Sequence, residues 1–421
     1  MAWRVLPFLL LVYLICIIDR LNVGFAALTM NQELGFTATI FGWGAGLFFF
    51  GYFLGEVPSN LIMSKVGARI WFARIMASWG ILAIAMGFIG GETSFFVIRF
   101  LLGVAEAGFF PGVIYYLTLW FPAQYRGRIF GLFLIISPLN NTIAAPLAGL
   151  ILNAFDGSMG YPGWRWLFIV EGIPAVLLAF VTLRVVIDRP DHATWLTAEE
   201  KAHLKETLAR EAASRTETKH LSLWQTLGHP KVLLFAVVYT TLAIGIYGIA
   251  LWMPQIIKGM GLQDPLKIGL IMAVPYLIAT ICMVLWSRHS DKTGERVWHC
   301  AGPLALACVG LACSAYAGSP LLAMISLTFA AIGLYCSQPV FWAMPTGYLT
   351  GVAAAGGIAF INSVGNLGGF VGPFAVGWLK DHFGGFQAGL LFLSLCLLLG
   401  SIVSVVVGRS VAHLREARQP A

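Results

Sequence analysis

The sequence predicts an all-α polytopic membrane protein, with twelve transmembrane helices in two six-helix pseudo-symmetric halves. Three observations carry this. The 421 residues are 59% hydrophobic and only 11% charged, against about 25% charged in a soluble globular chain, and the mean hydropathy is +0.83. Apolar runs long enough to cross a bilayer, roughly 20 residues each, recur along the whole chain. One charge-rich stretch, residues 188–231, interrupts them midway and holds 14 of the 45 charged residues, seven of each sign.

The twelve runs lie at about 5–29, 39–64, 70–90, 93–121, 128–152, 165–187, 230–257, 266–288, 297–317, 320–345, 353–379 and 385–408. Barrel strands are excluded, because they alternate at period two and are only about ten residues long. The first run begins like a signal peptide but continues past Asp19 to about Leu28 without a small-residue cleavage site, so it reads as a retained span. The expected division is 1–187 for the first bundle, 188–229 for a cytoplasmic linker and 230–421 for the second bundle.

Charge placement gives the orientation. With the N-terminus inside, the cytoplasmic loops and ends hold Arg4, Lys65, Arg69, Arg74, Arg126, Arg128, Arg288, Lys292, Arg296, Arg409, Arg415 and Arg418; the outer side holds Arg165, Lys258, Lys267 and Lys380. Twelve against four satisfies the positive-inside rule. The net charge of +7 therefore reports topology, and no nucleic-acid partner is expected.

In the first run, "LICIIDRLNVGFAAL", Asp19 and Arg20 stand side by side in apolar surroundings. Asp19 follows Arg4 by 15 residues, about 22 Å along a helix, which places it near mid-membrane. Each such charge costs about 2.5–3.5 kcal/mol on the insertion scale. Neighbours on a helix point about 100° apart, so one faces the central cavity and the other an adjacent helix. Run four adds Glu106 near its centre, with Arg99 seven residues earlier on the same face and nearer the outer end, where it is expected to snorkel. No other acid is read as lying so deep. One interpretation is an internal ion-pair network that fixes packing. The favoured one is a binding cation, Arg20, with two titratable carboxylates, Asp19 and Glu106, because acids in a low-dielectric site load and release protons near neutral pH.

Other polar groups fall inside the runs. Tyr52 in run two is either a ligand contact or packing. Gln338 and Trp342 lie one turn apart in run ten, as do Asn362 and Asn366 in run eleven. Such amides bond a ligand or a neighbouring helix. The glycines from Gly365 to Pro373 predict close helix packing and a kink. In the linker, "TAEE" from Thr197 fits a capping box at the start of a short surface helix.

The halves echo one another. "SKVGARIW" follows run two and "DKTGERVW" follows run eight, aligning Gly67 with Gly294, Arg69 with Arg296 and Trp71 with Trp298. Repeated halves around a central site are the architecture of secondary transporters. Neither a phosphate loop of the G-x-x-x-x-G-K-[ST] kind nor a nucleophile–base pair occurs, so neither ATP-driven transport nor an enzyme is expected. Cys16, Cys282, Cys300, Cys308, Cys313, Cys336 and Cys396 lie in apolar segments without C-x-x-C spacing, and no metal or cofactor is expected.

These residues carry a resemblance. "DRLNVGFAAL", "EVPSNLIMSKVGARIW", "GVAEAGFFPG", "GWRWLFIVEGIPA", "WLTAEEKAHL" and "INSVGNLGGFVGP" resemble the major facilitator superfamily, within its anion:cation symporter group of bacterial organic-acid transporters. The resemblance implies that Arg20 binds the substrate carboxylate and that Asp19 and Glu106 couple protons. It matches Tyr52, Trp342 and Asn362 to ligand contacts of sugar-acid symporters. Ile17 and Ser137 stand where such carriers have a tyrosine and a glutamine, which argues against a long sugar acid. The wording is nearest to members described as tartrate or phthalate transporters. The superfamily's gating loop is kept in the second half, with Asp291 and Arg296, and degenerate in the first, where Asn60 and Arg69 stand.

The expected function is proton-coupled uptake of a small organic anion by a monomer in a bacterial inner membrane, with both termini cytoplasmic. The rivals are a proton-coupled exporter and a passive facilitator of the same fold. Run five lacks the glycine-rich stretch ending in G-P that such exporters often carry.

Overall fold

The computed structural model describes residues 2–216, 228–348 and 351–416; part of the linker and Arg418 of the basic set lie outside the described residues. Among the described residues there are fifteen α-helices and no strand. They are α1 (Ala2–Leu34), α2 (Ala38–Val66), α3 (Ala68–Met86), α4 (Glu92–Glu106), α5 (Phe109–Trp120), α6 (Ala123–Ala154), α7 (Gly163–Val185), α8 (Ala198–Thr216), α9 (Pro230–Gly259), α10 (Pro265–Thr293), α11 (Val297–Ala315), α12 (Pro320–Tyr348), α13 (Gly351–Asn366), α14 (Gly368–Phe383) and α15 (Gln387–Glu416). Twelve segments are long and apolar enough to cross a membrane. α4 with α5 forms the fourth, and α13 with α14 the eleventh.

Two spans expected to be continuous are broken. Residues 93–121 divide at Ala107–Gly108, just after Glu106, and residues 353–379 divide at Leu367. The second break is the expected kink, and the glycines beside it do pack closely. A methyl added at Gly369 would meet the Phe49 ring, and one at Gly372 the backbone of Ile244. With Gly42 and Gly46 facing Pro373 and Phe370, Gly369 lets α2 and α14 approach along a seam of small residues, while Gly372 seats α14 on α9.

The local signals fold as the chemistry requires. Thr197 Oγ1 accepts from the N–H of Glu200 at 3.2 Å, and the Glu200 carboxylate accepts from the N–H of Thr197 at 2.9 Å, so α8 begins with a capping box. Gly67 and Gly294, aligned in the two loop echoes, have φ of +97° and +69°. That is backbone which residues with a Cβ adopt at a cost, and it explains why glycine recurs at this place in each half. Asp264 caps α10 by accepting from the N–H of Leu266, with Pro265 in the first turn, a position whose missing N–H costs nothing.

α3 packs on α7 and α2 on α4 in the first half; α11 packs on α12 and α15 in the second. Between the halves, α6 lies along α10, α2 along α14 and α1 against α9. The linker joins the end of α7 to the start of α9, and this end is called the linker end. The halves are tied at the far end: Lys258 Nζ donates to the Leu28 carbonyl at 2.6 Å, Asn153 Nδ2 to Asp264 at 2.7 Å, and the N–H groups of Ala38 and Thr39 to Asp381 at 3.1 and 2.7 Å. Gly24 meets the backbone of Leu251 and Gly269 that of Ala145, so bare backbone closes this end.

Candidate functional site

The face of α1 that carries Tyr13, Ile17 and Arg20, spaced at i, i+4 and i+7, borders a cavity between the halves. Tyr52 of α2 and Ser137 of α6 line it from the first half. Tyr239 and Tyr247 of α9, Tyr335, Gln338 and Trp342 of α12, and Asn362 and Asn366 of α13 line it from the second. The predicted binding residues Arg20, Tyr52, Gln338, Trp342, Asn362 and Asn366 are thus brought together around one space. Its walls are aromatic and amide, the make-up of a small-ligand pocket with a few placed polar groups.

Arg20 is the centre of this wall. Its Nε donates to Glu106 Oε1 at 3.0 Å, Nη2 donates to the same oxygen, and Nη1 reaches Tyr247 Oη at 3.3 Å. The guanidinium carbon lies 5.3 Å from the Phe48 ring centre and 5.1 Å from that of Tyr52, a cation–π setting. Cys16 Sγ donates to Glu106 Oε1 at 3.0 Å, while Glu106 Oε2 is buried without a partner among the described residues. Arg20 therefore touches the first half through Glu106 and the second through Tyr247.

Asp19 points elsewhere, as the 100° between neighbours requires. It is 1% exposed and accepts from Trp79 Nε1 of α3 at 2.8 Å, with Oδ1 unpartnered among the described residues. Arg99 overturns its expectation. It does not snorkel but is fully buried, with Nε and Nη2 donating to the carbonyls of Gly44 and Ala45 at 3.4 and 3.2 Å, and its guanidinium over Phe48. The close approach of α4 to α2, where Gly44 leaves room for the Phe95 ring, covers Arg99 before it can reach the surface.

The reading that no further acid lies deep in a span is also corrected. Glu56 of α2 and Glu171 of α7 are 4% and 5% exposed. Glu56 accepts from Asn362 Nδ2 at 2.8 Å and Ser363 Oγ at 3.0 Å, tying the halves beside the cavity. Asn362 thus bonds a neighbouring helix while it lines the cavity. Both acids sit beside glycines in "LGEVP" and "VEGIP", and a search for any acid more than a turn and a half from a run's end would have found them. The cavity tyrosines were missed too. Tyr13 on the Arg20 face, and Tyr335 three residues before Gln338, were accessible through helical spacing.

At the linker end, Arg296 Nη2 pairs with Asp291 at 2.7 Å and its Nη1 donates to Ser290 Oγ at 2.9 Å. In the same loop burial pushes the Glu295 carboxyl up, but hydrogen bonds from the His299 ring and from the N–H groups of Trp298 and His299 outweigh it and hold the carboxyl below its ordinary range. In the degenerate first-half loop the Arg69 side chain is exposed and its N–H donates to Asp188 at 2.8 Å.

The Major Facilitator Superfamily profile matches residues 9–373. A protein of Agrobacterium vitis named "Putative tartrate transporter" is 50% identical over 417 residues, covering 99% of this chain and 92% of its own length. The "Quinolone resistance transporter" of Acinetobacter baumannii is 44% identical, covering 96% and 93%. A bacterial homologue of the human lysosomal transporter Spinster, in an inward-facing conformation, has the same fold at a TM-score of 0.78 and 16% identity, covering 99% and 98%. With twelve apolar spans, a cavity between two halves and this match across the chain, the protein belongs to the Major Facilitator Superfamily and is a membrane transporter, not an enzyme.

Proposed function

We propose that the protein imports a small organic carboxylate together with protons, by alternating access of residues 1–187 and 230–421 around the Arg20 cavity. The observation that carries this is the pairing of Arg20 with Glu106 in a cavity walled by both halves. An entering carboxylate and the Glu106 carboxylate compete for the same guanidinium donors. A proton on Glu106 removes the competitor and frees Arg20 for the anion, so proton and substrate load together. Asp19 is the second proton-coupling acid. Tyr52, Gln338, Trp342, Asn362 and Asn366 hold the rest of the substrate, while Asp291, Arg296, Arg69 and Arg99 hold the gates and helix packing.

The similarity to a protein named for tartrate favours a short hydroxy acid or an aromatic acid of similar length. Basic loops at the linker end favour a bacterial inner-membrane location with both termini cytoplasmic. The chain acts as a monomer, with the bilayer, the anion and protons as its partners.

The relative named for quinolone resistance favours a second reading, proton-coupled export by the same cavity. One experiment separates the two. Purified protein in liposomes with an internal pH dye is given tartrate, phthalate, 4-hydroxyphenylacetate and a sugar acid in turn, without an imposed gradient. Internal acidification with one acid supports symport and names the class. Alkalinisation supports exchange against protons. Uptake of labelled acid with no pH change means a facilitator.

A further inference from the structure

A second, separate cavity lies on the far side of Asp19. It is small, with room for about one water, and is lined by Asn22 of α1, Asn141 of α6 and Glu171 of α7, among apolar side chains. Glu171 is 5% exposed, and neither of its oxygens has a hydrogen-bond partner among the described residues. Both amide atoms of Asn22, 4% exposed, are likewise unpartnered. An ionised carboxylate so removed from water, with only the neutral Asn22 amide beside it and no counter-charge among the described residues, is strongly unfavourable, and such a group is kept as the neutral acid. The charged or titratable group facing Glu171 is Asp19, one turn before Asn22 on α1 and itself an acid, and no cation faces it among the described residues.

The walls of this cavity decide what the proton is for. Asn22, Asn141 and Glu171 belong to the first half, whereas Ala250 and Met272 close it from the second. The backbone contacts of Gly24 with Leu251 and of Gly269 with Ala145, which close the far end, involve residues adjacent to those walls. Any movement that parts the halves there withdraws Ala250 and Met272 and wets Glu171.

We propose that Glu171 is a proton-binding site of the transport cycle, occluded in this conformation and uncovered when the far ends of the two halves part. The carboxylate takes one proton from far-side water, carries it as the neutral acid through closure, and passes it on through the Asn22 and Asp19 side of the cavity. This rests on the proton-symport reading above.

The test uses the full-length protein in liposomes with radiolabelled tartrate, or whichever of the four acids the wild type takes up. Under an imposed gradient of one pH unit, Glu171→Gln is expected to lower the accumulation ratio by about tenfold for each coupled proton lost. Counterflow of labelled acid, which needs no net proton movement, is retained. Accumulation equal to wild type overturns the assignment while leaving symport intact. A wild type that accumulates nothing under a pH gradient removes symport itself, and accumulation driven only by sodium removes the proton as the ligand. Infrared spectroscopy gives an independent reading should the variant fold poorly. The wild type is expected to show the carbonyl band of a buried protonated carboxyl, shifted in Glu171→Asp. A spectrum unchanged in Glu171→Asp overturns the proposal.

Discussion

Arg20 on α1 and Glu106 at the end of α4 share one oxygen: both Nε and Nη2 of the guanidinium donate to Oε1, and Oε2 is left without a partner among the described residues. A fork that normally spans two carboxylate oxygens is thus concentrated on one. The pair is held but not saturated, and these are the donors for which the proposed substrate carboxylate would compete.

Arg20→Ala is expected to abolish binding and uptake. It also leaves the buried Glu106 without its counter-charge, a loss of about 3–5 kcal/mol for a broken buried pair. Arg20→Ala with Glu106→Gln removes both charges and should recover most of that stability but no transport. Detergent melting curves and labelled-acid uptake read the two effects separately. A single Arg20→Ala variant that still takes up substrate at the wild-type rate would sink the assignment of Arg20.

Glu106→Gln removes the competitor for Arg20 permanently. Binding and counterflow should persist, and accumulation driven by a pH gradient should vanish. Labelled-acid accumulation and counterflow in liposomes check this. A variant that accumulates the acid as the wild type does would show that Glu106 is not the coupled acid.

Gly24→Val puts a side chain where an added Cβ lies 2.8 Å from the carbonyl oxygen of Leu251. Backbone there cannot yield, so the far end is expected to spring apart. Thiol labelling of a cysteine placed at Ala148, which lines the far-side cavity, should rise at least tenfold over the same cysteine with Gly24 intact, the change expected for a population shift of about 1.4 kcal/mol. Unchanged labelling would show that α1 and α9 do not need this contact to stay closed.

Asp264 lies outside the spans and ties the halves. The hydrogen bond from Asn153, with those from backbone N–H groups of α10, holds its carboxyl below the ordinary carboxylate range. A depressed value means that the folded protein binds its proton less readily than the unfolded chain. The stabilisation is therefore complete above about pH 4 and is lost as the pH falls through the depressed value. Thermal unfolding of wild type and Asp264→Asn should differ at neutral pH and converge in acid. A difference that grows on acidification would contradict the direction of the shift.

Spans, linker and their spacing were legible because burial in a bilayer leaves a long apolar signature that no local contact reverses. The capping box at Thr197 and the close-packed glycines of α14 were legible for the same reason: each is a local chemical necessity. Arg20 and Asp19 could be placed on different faces from helix geometry alone. What escaped was pairing. Nothing in "VIRFLLG" says that Gly44 and Ala45 offer carbonyls to Arg99, and nothing in "LGEVP" says that Asn362 and Ser363, some 300 residues later, meet Glu56. Those partners come from the approach of helices distant in sequence, and single-chain periodicity does not encode it. Glu171 stands in plain view in "VEGIP", but its burial beside Asn22 of α1 comes from the same approach of distant helices.

The Arg20 cavity takes its walls from both halves, and this limits what a good ligand is. On the proposed reading, an acid that fills the space and still allows Trp342 and Tyr52 to draw together should travel through, whereas one that carries a bulky substituent should grip the same guanidinium, prop the halves apart and stay. Grip and throughput are therefore opposed, and the tightest-binding analogues of the natural cargo should be plugs that stall the carrier rather than passengers.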